Sequence, residues 1–545
     1  MKQTFALLAL LSSAGVLAGG ADKLPGPLFH NLGDLHHPVT TASPRAQRYF
    51  DQGLVLLYGF NHPEAIRSFR SAAALDPRCA MAFWGVAYAC GPHVNKPMTE
   101  EETEAAWAAL QQAVALKGHV TPREQAYIAA LEQRYQSRHL EDRSALDRAF
   151  AQAMRELVHV YPDDLEAQTL FAEALMNTMP WDYWAKDRSP KPETEEALAA
   201  LRRVIARQPD HPGANHFYIH AVEAGPNPEL GLPAADRLRD FAPGAGHLVH
   251  MPSHIYVRVG QYHDAILANE RAVKADRDYI RACRAQGFYP GVYYPHNLHF
   301  LWWAQVFDGR SAAALRTARR VAQHANDNYC GPSKALEAPR LRHLPWLTLV
   351  RFGRWDAMLE APKPAAQADF LVDQALWHFA RGLALVSKPD PVAAAVELEA
   401  LTALAESEGA RQLDSPAFPV SDTLAVARRW LAGRVAELQG DPNAMIRHFE
   451  DAVAAEDALP YMEPTFWPLP VRPTFGAALL RAGDPARAEA VFREDLARVP
   501  RHAWGLLGLE QSLRAQGRAE SADLVRREFE AAWARADIGL ELAWF

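Results

Sequence analysis

The chain has 545 residues, a length that excludes one compact core and points to several domains or an elongated array. Apolar residues make up 49 % and charged residues 22 %, ordinary values for a folded soluble protein. The formal charge is −8 and no dense Lys/Arg block occurs, which argues against nucleic acid as a partner.

Residues 1–20 read MKQTFALLALLSSAGVLAGG, one lysine followed by an apolar stretch from Phe5 to Leu17 and then small residues. This pattern predicts a secretory signal peptide over 1–18, ending at Val16-Leu17-Ala18, with Gly20 as the alternative end. The stretch is too short to span a bilayer, no cysteine follows it to carry a lipid, and no later segment approaches 18 consecutive apolar residues. A mature chain in the periplasm or outside the cell, with no membrane span, is therefore expected. Residues 19–42, rich in Pro, Gly and His, read as extended; His36-His37 lies here, and such a segment can fold back on the domain that follows.

Helical periodicity begins near Ser43 and continues, with short breaks, to about Asp537. Asn61-His62-Pro63 reads as a helix start, because Asn caps well and Pro suits the first turn. Cys79 and Cys90 fall at either end of one predicted helix, roughly 16 Å apart at 1.5 Å per residue, too far for a disulfide. Cys283 with Cys330 stays open as a pair, and without a CxxC motif no thiolate zinc site is indicated. The Pro- and Trp-bearing stretch TMPWDYWAKDRSPKPE (178–193) is too long for a plain turn and reads as an insertion over a groove. GPSKALEAP (331–339) reads as a joint between two arrays, 43–330 and 336–535.

An internal repeat organises these helices. Arg481-Ala482-Gly483-Asp484 aligns with Ala515-Gln516-Gly517-Arg518 at an offset of 34, and Ala488 meets Ala522 at the same offset. The turn at Gly483 is followed by Ala488-x-x-x-Phe492 and closed by Pro500. FNHPEAIRSFRSAAALDP (60–77) repeats that grammar with Ala65, Phe69 and Pro77, and VGQYHDAILANERAVKAD (259–276) does so again. The pattern resembles the tetratricopeptide repeat (TPR) family over most of 43–535, with degenerate stretches at 138–160, 180–195 and 335–470. The resemblance implies an all-α, TPR-like α-solenoid, a superhelix of antiparallel helix pairs with a concave ligand groove. Each unit leaves an apolar face that only a neighbouring unit covers.

The chemistry lies in the middle of the chain. Pro209 and Pro243 stand 34 apart, as do His216 and His250, and His220 and His254. The same His-x-x-x-His pair therefore recurs in two consecutive repeats. Histidines at i and i+4 share one helix face, the spacing by which a helix offers two imidazoles to one metal. Helices are expected over 213–225, 247–259 and 295–307. The TPR resemblance places His216 and His250 at the fifth position of their repeats and His220 and His254 at the ninth, both facing the groove. It places Glu223, His247 and Arg258 at groove positions too, with His296 and His299 from the next repeat and Glu173 and Asn177 from the one before. Tyr218, Val222, Pro252 and Tyr256 fall on the packed side.

The expected function is an exported TPR-type protein whose groove holds a transition metal, zinc, copper or iron, through a subset of His216, His220, His247, His250, His254, His296 and His299. It would serve as a metal carrier or a metalloenzyme; in the latter Glu173 or Glu223 would act as base, with Arg258 alongside. The competing expectation is a scaffold that takes a peptide or protein partner without metal. No Gly-x-Ser-x-Gly, Walker loop, dinucleotide fingerprint or His-Glu-x-x-His motif occurs.

Overall fold

The computed structural model describes residues 26–185, 187–327, 341–367, 370–415 and 418–542. Among them the chain is all-α, with no β-strand and only isolated bridges such as His93 with Lys96. The leader expected at 1–18, Cys330 and the joint expected at 331–339 lie outside the described residues. No described helix is long and apolar enough to cross a membrane.

Consecutive helices form TPR-like pairs in two compact units. The first comprises Met1–Pro252 with Lys274–Tyr289, the second Ser253–Val273 with Pro290–Phe545. The first unit opens with the pair Pro44–Tyr58 and His62–Leu75, continues through Leu165–Asn177 and Pro192–Arg207, and reaches Pro212–Glu223 and Leu232–Phe241. The second holds Tyr294–Phe307 with Ser311–Asp327, Val420–Leu438 with Pro442–Ala458, and a last run from Arg472–Arg481 to Ala519–Ala532. The helices expected over 213–225 and 295–307 are present; the one expected over 247–259 is divided into Gly246–His250 and Pro252–Arg258. Pro252 has no N–H to continue the ladder, which accounts for the break at Met251.

Local chemistry fixes the helix ends. Ser43 and Asp164 accept the backbone N–H of Ala46 and Ala167 as N-caps, and Thr99 and Thr121 form capping boxes with Glu102 and Glu124. Gly483 and Gly517 both hold φ near +80°, at 83° and 74°, so the turn glycines read from the repeat are left-handed helix stops.

Packing between pairs rests on a Phe-on-Gly contact. Phe69 and Phe492, the repeat phenylalanines, are fully buried. A Cβ added at Gly53 or Gly85 would stand 2.5 Å from the Phe69 ring, and one at Gly476 or Gly508 would stand 2.6 or 2.0 Å from Phe492. Each ring therefore lies against the bare backbone of the helices on either side, an approach that any side chain would block.

This contact gives a sign reversal to measure. At an exposed helical site Gly→Ala gains about 1 kcal/mol of helix propensity. Gly508→Ala should instead destabilise the protein by about 1–3 kcal/mol through overpacking. Gly118→Ala, which meets nothing within 4 Å, should not. Urea unfolding of the two variants beside the parent protein checks this.

Candidate metal centre

The helix Pro212–Glu223 starts on His211, whose Nδ1 accepts the Ala214 N–H at 3.1 Å, with Pro212 in the first turn. Every residue of this helix is buried, so the i, i+4 pair His216 and His220 faces protein on all sides. His216 Nδ1 lies 2.5 Å from the Tyr58 carbonyl oxygen, and His220 Nδ1 lies 2.6 Å from Glu223 Oε1. A carbonyl and a carboxylate only accept, so Nδ1–H is the donor in both bonds and Nε2 keeps the ring's lone pair. This is the arrangement that orients metal-ligating imidazoles: one nitrogen held by an oxygen acceptor, the other free of a proton.

His247 comes from the short helix Gly246–His250. Its backbone N–H donates to the Tyr289 hydroxyl at 3.2 Å, and that hydroxyl donates to Asp276 Oδ1 at 2.9 Å, which fixes the start of the helix. One ligand atom from each of His216, His220 and His247 lies within 4.8 Å of the other two. Ligand nitrogens around one tetrahedral ion with bonds of about 2.0–2.1 Å are separated by about 3–4 Å, so a small inward movement closes the set. His250 is adjacent, its ring 5.7 Å from that of His247.

The expected open groove is filled. His216 and His250 are 0 % exposed and His220 and His247 are 2 % exposed. Two aromatic residues account for this. Phe60 follows Gly59 in the turn after Pro44–Tyr58 with φ of 53°, and its ring stands 4.6 Å from His216, 5.3 Å from His247 and 5.9 Å from His220. Trp181, from the insertion 178–193, meets His220 edge-on at 5.2 Å. The insertion is pinned where Trp181 Nε1 donates to Asn95 Oδ1 and Trp184 Nε1 to the Ala221 carbonyl.

Two further histidines join this neighbourhood. His93 stacks on Phe60 at 4.8 Å and lies 4.5 Å from His62, whose Nδ1 is 2.8 Å from the Ala89 carbonyl oxygen. Burial lowers His62 to about 3 and holds His93 well below its ordinary value, so both are neutral. In the sequence His62 carries the pattern of a helix-opening residue, and His93 is a lone histidine without repeat spacing to mark it. His36 instead pairs with Asp51 at 2.8 Å, and His37 packs on Phe50 and Tyr127. Cys79, Cys90 and Cys283 are free thiols. Glu173 accepts from the Tyr88 hydroxyl at 2.5 Å, and burial raises its carboxyl against the opposing pull of Arg134.

The second unit carries the remaining expected residues. His254 Nδ1 lies 3.1 Å from Glu463 Oε2, Arg258 Nε lies 3.8 Å from Glu463 Oε1, and the His254 and His296 rings are 5.7 Å apart. Glu463 falls in the degenerate stretch 335–470, where no repeat frame exists to mark it. His299 and His343 line a cavity of about 50 Å³ with His296 and Glu463, and burial lowers both to about 3.

The helix pairs define an all-α, TPR-like repeat protein, with a buried imidazole cluster in its first unit. No protein-family model and no curated protein matches the chain. Among solved structures it is similar to the human IFIT1 dimer with m7Gppp-AAAA, at 13 % identity over 91 % of this chain and 92 % of that chain, TM-score 0.32. It is similar to the APC/C hetero-tetramer Cut9-Hcn1 at 14 % identity over 86 % and 76 %, TM-score 0.30. Yeast Tom70 matches at 12 % over 89 % and 90 %, TM-score 0.29.

The buried neutral imidazoles set a pH dependence for the metal-free protein. His62, His299 and His343 sit near 3 when folded and near 6.5 when unfolded, so between these values the unfolded chain holds more protons. Their contribution is intact above about pH 6.5 and is lost as pH falls towards 3, by about 1.4 kcal/mol per pH unit for each group. Denaturant titrations between pH 7.5 and 4.5 should show this loss, and His343→Gln should lower the slope by one proton.

Proposed function

We propose that the first unit is a metal centre in which His216, His220 and His247 hold one transition-metal ion. The observation that carries this reading is the pair of second partners: the Tyr58 carbonyl holds His216 and the Glu223 carboxylate holds His220, each through Nδ1. A core histidine needs only its hydrogen bonds satisfied. Two Nδ1-anchored imidazoles and a third within 4.8 Å form a ligand set.

The donors favour zinc or copper over iron. All three donors are imidazoles, which suit those ions. Glu223, the carboxylate nearest to the set in sequence, is engaged with His220 Nδ1, and iron sites of the two-His type call for an inner carboxylate. Three protein ligands leave a fourth position, where a bound ion lowers the pKa of water or takes a small ligand. Phe60 and Trp181 then exclude bulk solvent from that position, and Trp181, 39 % exposed, is the side chain whose movement would admit a ligand. Near-complete burial of the histidines disfavours the competing reading of a peptide lying along them. The reading as a whole is of an exported metal carrier or metalloenzyme whose residues 1–18 are a removed leader.

Metal analysis tests this reading. Protein stripped with a chelator and reloaded with zinc or copper should retain one equivalent in the first unit after desalting, and the double variant His216→Ala with His220→Ala should lose it. Glu223→Gln, which keeps the shape and removes the charge, should weaken binding about 10–100-fold without abolishing it. Retention of metal unchanged in the double variant, or none in the parent protein, would overturn the assignment.

A further inference from the structure

The stretch 459–470 of the second unit, LPYMEPTFWPLP, carries four prolines and is not helical. With the helices Pro442–Ala458 and Pro485–Arg498 it encloses a cavity of about 230 Å³. A water takes about 30 Å³ of the liquid, so the space holds roughly seven waters or one small organic molecule. Trp303, Tyr461, Phe466 and Trp467 supply its apolar walls. Trp467 is 2 % exposed and its Nε1–H has no hydrogen-bond partner, a buried polar atom left for a bound water or ligand.

The charges around the cavity decide what it can take. Its three cations are already matched. Arg472 donates to Asp457 at 2.8 and 2.7 Å and to Glu494 at 2.8 Å. Arg498 reaches the same two carboxylates at 3.0 and 3.3 Å, and Arg258 Nε lies 3.8 Å from Glu463 Oε1. Of the remaining lining carboxyls, Asp495 bonds His502 Nε2 at 2.6 Å. Glu456 is left over. Its Oε2 accepts the Val471 N–H at 3.2 Å, and Arg472 Nη1, committed to Asp457, stands 4.0 Å away. Arg351 feels Glu456 only through space. Burial raises the Glu456 carboxyl to about 8 against the pull of Arg472, with Asp495 and Asp457 adding to the rise.

A carboxyl without a cation, in a cavity walled by aromatic rings, suits a ligand that brings a positive charge on an apolar body; ring faces also attract cations. We propose that this cavity binds a small primary amine with an aromatic body, its ammonium against the Glu456 carboxylate and its ring among the tryptophan and tyrosine side chains. Glu456 gives up its proton to solvent when the ammonium arrives, so binding releases one proton below about pH 8. Nothing in this site depends on the metal centre of the first unit.

The test uses the full chain at about 0.15 M salt, where exposed charges are screened, with phenethylamine as probe and 2-phenylethanol as its uncharged counterpart. Phenethylamine should bind saturably by calorimetry and raise the melting temperature, since a ligand of the folded state alone stabilises it. The alcohol should bind at least 10-fold more weakly. An alkylamine stays cationic between pH 6 and 8, so its affinity should rise about 10-fold per pH unit there, with one proton released. Glu456→Gln, which keeps the shape and an acceptor for the Val471 N–H, should weaken the amine at least 10-fold and remove the pH dependence. The amine–alcohol comparison needs no variant, so a folding defect in Glu456→Gln does not blunt the test. An alcohol that equals the amine, an absent response to phenethylamine, or unchanged binding in Glu456→Gln would overturn the assignment.

Discussion

A buried imidazole has two nitrogens to satisfy, and this requirement organises the first unit. His216 and His220 meet half of it with oxygen acceptors placed by other parts of the fold. The Tyr58 carbonyl is available because the first helix ends there and leaves its last carbonyls without intrahelical donors. Glu223 is available because it stands one turn after His220 on the same buried helix. With Nδ1 bonded to an oxygen on both rings, each has one further nitrogen, and a ligand atom of His247 lies within 4.8 Å of one from each ring. A histidine cluster without those acceptors would be a loose polar core; with them the rings have a fixed tautomer and a fixed direction.

The surroundings deepen the effect. Phe60, held at φ of 53° after Gly59, places a ring among five imidazoles. It removes water from the cluster, and burial holds His62 and His93 neutral. Trp181 adds a partly exposed cover on the His220 side. In a low-dielectric pocket of this kind neutral nitrogen ligands avoid the desolvation cost that a set of carboxylates would carry. The second unit applies the opposite solution at His254, where Glu463 stands beside the imidazole and Arg258 beside Glu463.

The sequence carried the fold well because the TPR grammar is local. Ala65-x-x-x-Phe69 and Ala488-x-x-x-Phe492 name the core contacts, and Gly483 and Gly517 name the turns, and each does so where the structure has it. The spacing of 34 marked His216 with His250 and His220 with His254, and the TPR resemblance added His247; the three that come together are His216, His220 and His247. It gave no view of Phe60, a single turn residue whose left-handed backbone has no sequence signature, nor of His93. Burial was the larger gap. The resemblance implied an open concave face, whereas a loop side chain and an insertion side chain close over it, and neither belongs to the repeat. Glu463 and Glu456 were illegible for a related reason: both lie in 335–470, where the repeat fades and only tertiary packing brings side chains together.

X-ray absorption at the metal edge, on protein carrying one equivalent of zinc or copper, tests the metal centre most directly, because it reports the ligand atoms themselves. Coordination by His216, His220 and His247 predicts a first shell of nitrogen at about 2.0–2.1 Å with the outer-shell scattering of three imidazole rings. A sulfur shell near 2.3 Å, or an oxygen shell without imidazole scattering, would contradict it.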